Sequence, residues 1–338
     1  MNNTRKTSPR PKCFTLAKVL LLVVCLGVML RGAPQIPIDT AANSSTKTDS
    51  ATTVMTTEEV RALLYRDLLG PDSHGEGCPA DCGCRQTPKD CPQWYTIQAV
   101  QESAERNDEA SVQYMRDNLA QAKVKAQANC QVENGVSVLD SGGWCLHQGR
   151  GAVVSVANVS YPMAQHHVHA STRVVEELVN MIKTENIQSI NDFGAGIAQY
   201  KAAVLKHFPT LDYKAFDGAG NGPEYTKGVM EYFDLTLPLD LPVADWVLSL
   251  EVGEHVPSKY EGMVLRNLHR HNRKGIILSW AVLGQFGNQH INNHSNNYII
   301  RVLTELGYTY DEELSKKFRG PERNHAWFTG SLMVFRKN

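Results

Sequence analysis

Two carboxylates and an imidazole directly follow an apolar run in the segment "LSLEVGEHVP", residues 248–257. Glu251, Glu254 and His255 are the residue types that transfer protons or bind divalent cations. Burying such groups at the end of a strand costs free energy unless they are paired, solvated or used in chemistry. The segment is therefore the first candidate for a functional site.

Three interpretations of this E-x-x-E-H pattern stay open. In the first, His255 is a general base, with Glu254 as a second catalytic residue, because an imidazole with a pKa of about 6.5 accepts a hydroxyl proton at neutral pH. In the second, Glu251, Glu254 and His255, together with His290 or His325, bind Mg²⁺ or Mn²⁺ and so lower the pKa of a substrate hydroxyl. In the third, Glu254 and His255 cap a helix and contact a cofactor without doing chemistry.

A second candidate site lies in "NDFGAGIAQY", residues 191–200. Asp192 closes a predicted strand, and Gly194 and Gly196 follow at D-x-G-x-G spacing. Glycines let the backbone turn tightly and approach a ligand closely. The next strand ends at Asp217, about 20 residues later, where a carboxylate accepts hydrogen bonds from ribose hydroxyls. This pair of features predicts a nucleotide-like cofactor.

Alternating strands and helices must position these residues. From about residue 170 the pattern predicts strands at 189–193, 211–216, 244–250, 275–280, 308–311 and 331–335. It predicts helices at 172–184, 198–207, 223–232, 260–271 and 297–306. Repeated β-α units indicate a doubly wound, mostly parallel sheet, whose ligands bind at the carboxyl ends of the strands. No helix is predicted between the last two strands, which indicates an antiparallel hairpin at the edge.

Four segments, "DFGAGIAQY", "KAFDGAGN", "YFDL" and "ADWVLSLEVGEHVP", together resemble class I S-adenosylmethionine-dependent methyltransferases. The resemblance covers about residues 165–338 and implies an α/β, Rossmann-like fold with S-adenosylmethionine as cofactor. It implies that the methionine part lies against Asp192, Gly194 and Gly196. It also implies that Asp217 holds the ribose, that Asp234 lies near the adenine, and that Glu251 is a further cofactor contact.

Two details qualify this resemblance. Ala198 stands where many members carry a third glycine, and Gln199 stands where a nicotinamide-binding G-x-G-x-x-G loop would need one. The E-x-x-E-H pattern resembles the metal-binding motif of small-RNA 2′-O-methyltransferases. It is also similar to a motif of ubiquinone-pathway and other O-methyltransferases, so it does not single out RNA. The net charge of -1 argues against a nucleic-acid partner, because proteins that bind nucleic acid usually carry a basic surface.

Two further histidine-rich segments flank the candidate site in the sequence. "AQHHVHAS", residues 164–171, is interpreted as a substrate lid, a second metal contact or a solvated loop. "NLHRHNRK", residues 267–274, is predicted to be a basic, solvent-exposed helix end.

The N-terminus carries a predicted membrane anchor. Residues 1–18 contain five basic side chains and no acid, and the uninterrupted apolar run Val19–Leu30 follows. This pattern favours an uncleaved signal anchor, with the N-terminus in the cytosol and the rest in the lumen of the endoplasmic reticulum or Golgi. A cleaved signal and a secreted protein is the alternative. Three N-x-S sequons, Asn43, Asn158 and Asn293, agree with either route.

Residues 31–57 read as a flexible Ser/Thr-rich stem, and residues 58–150 as a helical, cysteine-rich module before a methyltransferase domain at 151–338. A helix is predicted from Glu58 with Thr57 as its N-cap, and another at 93–128. Six of the eight cysteines fall between Cys78 and Cys145. In an oxidising compartment they would form three disulfides, and zinc binding is the alternative.

These features together predict a lumenal, type II single-pass membrane protein that transfers a methyl group to a hydroxyl of a glycan or a secreted protein. The alternative is a catalytically silent, Rossmann-like binding module in the secretory pathway. The cofactor motifs favour the enzyme, because the residues that would bind S-adenosylmethionine are all present.

Overall fold

The structure is a computed structural model that describes residues 55–70, 95–131, 138–321 and 324–338. The predicted signal anchor, most of the stem, and Cys78, Cys82, Cys84 and Cys91 lie outside these ranges. No helix within these ranges is both long and apolar enough to cross a membrane. The described residues contain one disulfide, between Cys130 and Cys145, whose pairing was not predicted from the sequence.

Three helices precede the sheet, and their bounds are α1 Thr57–Tyr65, α2 Ile97–Glu105 and α3 Glu109–Gln131. The N-cap of α1 is Thr56 rather than Thr57, because Thr56 and Glu59 satisfy each other's backbone N–H groups in a capping box. The prediction of one continuous helix at 93–128 is wrong, because the structure has two separate helices there, α2 and α3. The side chain of Asp108 accepts a hydrogen bond from the Ser111 N–H at 2.9 Å and starts a new helix.

A short antiparallel pair of strands follows these helices, β1 Gln148–Val156 and β2 Val159–Ala164. Seven further strands form the main sheet. They are β3 Ser189–Phe193, β4 Asp212–Asp217, β5 Glu231–Tyr232, β6 Ala244–Leu250, β7 Asn272–Ser279, β8 Tyr308–Tyr310 and β9 Leu332–Lys337. The helices that alternate with them are α4 Thr172–Glu185, α5 Gln199–Val204, α6 Gly222–Tyr225, α7 Glu261–Arg270, α8 Asn296–Glu305, α9 Glu312–Phe318 and α10 Phe328–Ser331.

The strand order is β5-β4-β3-β6-β7-β9-β8, in which β9 runs antiparallel to both of its neighbours. The pairs among β3 to β7 are parallel, so the predicted doubly wound, mostly parallel sheet is confirmed. The order reverses between β3 and β6. The loops that follow these two adjacent strands therefore diverge and leave a crevice at their carboxyl ends.

Two predictions for the second half of the chain are wrong. The helix predicted at 223–232 is reduced to the single turn α6, and the chain then extends into β5 beside β4. The predicted edge pair is antiparallel, but α9 and α10 lie between its strands. Periodicity missed these helices because they have only seven and four residues.

The predicted solvent-exposed helix end at 267–274 is only partly correct, because α7 ends at Arg270 and Arg273 and Lys274 are exposed, but the residues around them are buried. Arg266, His271 and Asn272 are buried between the sheet and the N-terminal helices. The Arg266 guanidinium donates to the Leu239 carbonyl at 2.6 Å and to the Ser103 carbonyl at 3.3 Å. The prediction failed because local composition does not reveal that α2 covers this face of α7.

Candidate active site

A cavity of about 270 Å³ opens where the strand order reverses. It is lined by residues from the glycine loop after β3, from the ends of β4 and β5, and from the segment after β6. Among the residues predicted for the site, those that line it are Gly194, Gly196, Asp217, Asp234, Glu251, His255 and His325. The fold therefore brings both candidate motifs of the sequence to one place.

The glycine loop approaches the opposite wall too closely for side chains. Gly194 and Gly196 have left-handed φ values of +77° and +57°. A Cβ on Gly194 would lie 2.3 Å from the Val252 side chain, and one on Gly196 would lie 2.8 Å from the His167 ring. The backbone N–H groups of Gly194 and Ala195 both donate to a β4 carbonyl at 2.9 Å. At its two glycines, this loop therefore presents backbone atoms without side chains at the base of the cavity.

Asp217 connects the first two strand ends. Its carboxylate accepts hydrogen bonds from the Gly196 N–H at 2.7 Å and the Ala219 N–H at 2.9 Å. Burial raises its pKa, while these two bonds act in the opposite direction. Each carboxylate oxygen keeps a second lone pair, so the group retains capacity for hydroxyl donors from a ligand.

Asp234 and Asp192 occupy different environments. Asp234 lies on the cavity wall, and its carboxylate accepts from the Thr236 N–H at 2.9 Å and hydroxyl at 2.7 Å. Asp192 is not among the lining residues. It is buried, accepts a hydrogen bond from the Tyr213 hydroxyl at 2.9 Å, and has a pKa that burial raises to about 7. Its position favours a supporting role over direct contact with a ligand.

Glu251 lines the cavity in a strained conformation. Its φ of +56° places a side-chain-bearing residue in the left-handed region, which costs about 1 to 3 kcal/mol. Its carboxylate accepts from the Gln285 amide at 2.7 Å and the Ser331 hydroxyl at 3.1 Å. Strain of this kind persists where the surroundings hold a side chain in a functional position.

Glu254, His255 and His290 form a cluster with the composition of a cation site. Their potential ligand atoms all lie within 4.8 Å of one another. Glu254 is fully buried, and neither of its carboxylate oxygens has a hydrogen-bond partner. Burial and the neighbouring Glu251 raise the pKa of Glu254 well above its usual value. A buried carboxylate without partners is costly unless a proton or a cation neutralises it.

Both imidazoles of this cluster are held in the tautomer that binds metal. The Nδ1 of His255 lies 3.2 Å from the Gln289 carbonyl, and the Nδ1 of His290 lies 3.1 Å from the Gln285 carbonyl. A carbonyl only accepts, so each Nδ1 carries the proton and each Nε2 presents a lone pair. Burial, and then His290, lower the pKa of His255 to about 4, so it is neutral at pH 7.

The predicted metal ligands are only partly brought together. Glu254, His255 and His290 share the cluster, whereas the ligand atoms of Glu251 and His325 are not part of it. Glu251 is occupied by Gln285 and Ser331, and the His325 Nε2 lies 2.8 Å from the His169 carbonyl. Of the three residues in this cluster, His255 is the one that also lines the cavity, so its side chain connects the cluster with the cavity.

Sequence reasoning missed several residues of the cavity wall. One group comes from the segment before β1, namely Ser141, Gly142, Gly143, Trp144 and Leu146. Another is Phe328, the first residue of α10, which forms an aromatic group with Trp327 and with His325, the predicted alternative metal ligand. The Gly-Gly-Trp run was the available signal for the first group. His166, His167 and His169, from the histidine-rich segment 164–171, also line the cavity.

No protein-family model matches this sequence, and no curated protein sequence is similar enough to match it. Solved structures do match it. Magnesium protoporphyrin IX methyltransferase of Synechocystis, with bound S-adenosylmethionine, is 15% identical with a TM-score of 0.36, over 49% of this chain and 79% of that one. The methyltransferase domain of the bacterial protein CtHen1-C is 14% identical with a TM-score of 0.36, over 49% and 97%.

An amino pentose methyltransferase of Micromonospora echinaspora is 13% identical with a TM-score of 0.37, over 48% of this chain and 90% of that one. Identities and scores this low carry no conclusion about substrate or residue roles. The fold follows from the molecule itself, through the strand order of its main sheet, the one antiparallel strand of that sheet, and the glycine loop at the point of reversal. This protein has a doubly wound, Rossmann-like α/β fold, and the segments that resemble class I S-adenosylmethionine-dependent methyltransferases lie at its strand ends.

Proposed function

We propose that this protein is an S-adenosylmethionine-dependent methyltransferase that acts on a hydroxyl group. The observation that carries the proposal is one cavity that joins the bare glycine loop with the acids at the ends of β4 and β5 and with His255 after β6. The residues fit the cofactor, because side-chain-free glycines and the Asp217 carboxylate, whose oxygens keep free lone pairs, line the same cavity.

Different residues of the cavity would contact different parts of S-adenosylmethionine. Gly194 and Gly196 would lie against its methionine part, and Asp217 would accept hydrogen bonds from its ribose hydroxyls. Asp234, between the apolar side chains of Phe233 and Leu235, would face the adenine. When bound, S-adenosylmethionine supplies a methyl group on a positively charged sulfur, which an acceptor oxygen attacks in line. The protein's part is to orient the acceptor and to accommodate its proton.

The neutral state of His255 affects how the proton of the acceptor hydroxyl can be removed. A histidine with a pKa of about 4 is free to bind a cation at pH 7 but is a weak base for an unassisted hydroxyl. We therefore propose that Glu254, His255 and His290 hold a divalent cation. Such a cation, Mg²⁺ or Mn²⁺, lowers the pKa of a hydroxyl that approaches it. This choice favours the second of the three interpretations of the E-x-x-E-H segment.

The proposed acceptor is a glycan or a secreted protein in the lumen of the secretory pathway, with the enzyme anchored as a type II membrane protein. The apolar run at 19–30 and the disulfide between Cys130 and Cys145 support this compartment. Asn158 is exposed in the turn between β1 and β2 and is open to glycosylation. The Asn293 amide instead donates to the carbonyls of Val282 and Gln285.

Calorimetric titration of the full chain with S-adenosylhomocysteine tests the cofactor. We expect Asp217→Asn to weaken binding at least tenfold, about 1.4 kcal/mol, because the ribose loses a charged acceptor. Asp212→Asn is the matched control, since its side chain is 58% exposed at the opposite end of the same strand. A folded wild-type protein without binding would contradict the proposal.

Transfer of a labelled methyl group to fractionated glycan, protein, lipid and RNA pools separates the enzyme from the silent binding module. Transfer to glycan or secreted protein supports the proposed acceptor, and transfer to RNA alone would refute it. Cofactor binding with no transfer to any pool would favour the silent module.

The cation is tested by titration with Mn²⁺, followed by its electron paramagnetic resonance signal. We expect Glu254→Gln and His290→Ala each to weaken binding by about 10- to 100-fold, because each removes a ligand or its charge. His207→Ala is the control, since His207 is exposed at the end of α5. Equal Mn²⁺ affinity in all three variants would exclude this cluster as the cation site.

A further inference from the structure

The segment Val138–Leu146, called here the glycine hairpin, belongs to the chain before the sheet but reaches the cavity. Val138 and Trp144 face each other in an isolated antiparallel bridge. Within the turn, the Leu139 N–H donates to the Gly143 carbonyl at 2.6 Å, and the Gly142 N–H donates to the Leu139 carbonyl at 2.9 Å. Gly142 has a φ of +88°, so the tip is a tight turn that favours glycine.

The tip of the glycine hairpin lies directly against two strand-end loops of the site. A Cβ on Gly142 would lie 2.4 Å from the His255 carbonyl oxygen, and one on Gly143 would lie 2.3 Å from the Gly218 carbonyl oxygen. The hairpin therefore contacts the segments that follow β6 and β4 at backbone distance. Any outward or inward shift of the tip changes the width of the cavity between them.

Trp144 contacts the ring of His255. The two ring centroids lie 5.5 Å apart, and the planes meet at 75° in an edge-to-face arrangement. Both side chains line the cavity. Trp144 is therefore placed to fix the orientation of the His255 ring, which also contacts the His290 ring at a centroid distance of 5.0 Å.

Two connections hold the hairpin in this position. The disulfide from Cys145 to Cys130 ties the residue after Trp144 to the end of α3. Next to it, the side chain of Asn221 accepts from the Leu146 N–H and donates to the Leu146 carbonyl, both at 2.8 Å. The disulfide is the covalent one of the two. Without the disulfide, the hairpin can move away from the cavity once the two hydrogen bonds to Asn221 and its packing contacts are broken.

We propose that the glycine hairpin is a wall of the methyl-donor site, and that the Cys130–Cys145 disulfide keeps this wall in place for cofactor binding. The inference rests on the proposed function, because it concerns the same cavity. Trp144 is then a positioning residue that acts through His255. Reduction by a dithiol breaks the S–S bond and forms two cysteine thiols, while the dithiol gives up two electrons and two protons and becomes a disulfide.

The test is titration of the oxidised full chain with S-adenosylhomocysteine, beside the double variant Cys130→Ser, Cys145→Ser. We expect the double variant to bind at least tenfold more weakly while its far-ultraviolet circular dichroism is unchanged. Dithiol treatment should weaken binding to the wild-type chain by a similar factor. The same treatment of the double variant is the control for the other cysteines, and it should cause no further loss.

Two variants keep the disulfide and test the wall directly. Gly143→Ala forces the tip away from the Gly218 carbonyl and should weaken binding, whereas Gly330→Ala is the control, because nothing lies within 4 Å of a Cβ there. Trp144→Ala should weaken binding, and Trp144→Phe should restore most of it through the remaining aromatic contact. If the double variant does not fold, Gly143→Ala carries the test.

The outcomes separate the two proposals. A folded, oxidised wild-type chain that does not bind S-adenosylhomocysteine overturns the proposed function and this inference with it. The other outcome is that the wild-type chain binds and that the double variant, Gly143→Ala and Trp144→Ala bind equally well. That outcome overturns the inference about the glycine hairpin and leaves the proposed function standing.

Discussion

At the scale of single residues, the carboxylate of Asp192 shows how a motif residue can support a site without contacting the ligand. It lies under the glycine loop and is bound by the Tyr213 hydroxyl. Burial raises its pKa from 3.8 to about 7, so the folded protein retains a proton there that the unfolded chain releases at lower pH.

This proton predicts a pH dependence of stability. Between pH 4 and pH 7 the folded state binds one more proton at Asp192 than the unfolded state, so the free energy of unfolding falls as the pH rises. Asp192→Asn keeps an oxygen for Tyr213 but cannot titrate. We expect it to reduce the loss of stability between pH 5 and pH 8 by about 2 kcal/mol.

Urea unfolding of both proteins at the two pH values measures this difference. A variant whose stability falls with pH as steeply as that of the wild-type protein would show that Asp192 is already ionised in the folded state.

At the scale of elements, the loop between β7 and α8 carries His290 and is held by one buried carboxylate. Glu261, the first residue of α7, accepts hydrogen bonds from the Nε2 of His294 at 2.5 Å and from the Tyr95 hydroxyl at 2.9 Å. The same loop returns to the site through the Asn292 N–H, which donates to the Glu254 carbonyl at 3.0 Å. The cation cluster thus depends on the hydrogen bonds of Glu261 at the base of the loop.

We predict that Glu261→Gln weakens Mn²⁺ binding by about tenfold and lowers the free energy of unfolding by about 3 kcal/mol. The reason is that it leaves His294 buried without its charged partner. Burial alone would raise the pKa of Glu261, but His294 and the two tyrosines outweigh it and lower that pKa. The contribution of Glu261 should therefore be present near neutral pH and be lost as the pH falls below its usual range.

Manganese titration and urea unfolding, with Glu305→Gln as an exposed control at the end of α8, measure both effects. Unchanged Mn²⁺ affinity in a destabilised Glu261→Gln protein would show that the contact between Glu261 and His294 serves only stability.

At the scale of the whole molecule, the N-terminal helices and the sheet share a core. Leu68, Tyr95 and Val100 pack in the same apolar cluster as Val247 and Ile276 of β6 and β7. Arg266 lies at this junction, fully buried, and burial lowers its pKa to about 9. Its guanidinium connects the Ser103 carbonyl at the end of α2 with the Leu239 carbonyl before β6.

We predict that Arg266→Ala lowers the free energy of unfolding by about 3 kcal/mol or more, because it leaves a cavity and several carbonyls without their donor. Arg301→Ala is the control, since that side chain is 47% exposed on α8. Guanidinium unfolding of the full chain measures both. A loss no larger than that of Arg301→Ala would mean that the two parts are held together without this side chain.

The sequence by itself determined the order of the β-α units and the residues that end the strands. Asp192, Gly194, Gly196 and Asp217 were recognisable because a parallel sheet places its strand ends at one edge, and glycine is needed where backbone meets ligand. The short helices α9 and α10 and the break before α3 were not recognisable. A helix of one or two turns is too short to show a periodic pattern, and an Asp that caps a helix resembles any other polar residue in a helical stretch.

Only the tertiary structure decided how these residues divide their roles. It separated Asp192 from the cavity, separated Glu251 from the cluster of Glu254, His255 and His290, and left the Glu254 carboxylate without a hydrogen-bond partner. It also brought Trp144 against His255 across more than a hundred residues of chain. Such contacts depend on packing between distant segments. The pattern and spacing of residues along the chain do not predict which individual side chains will meet.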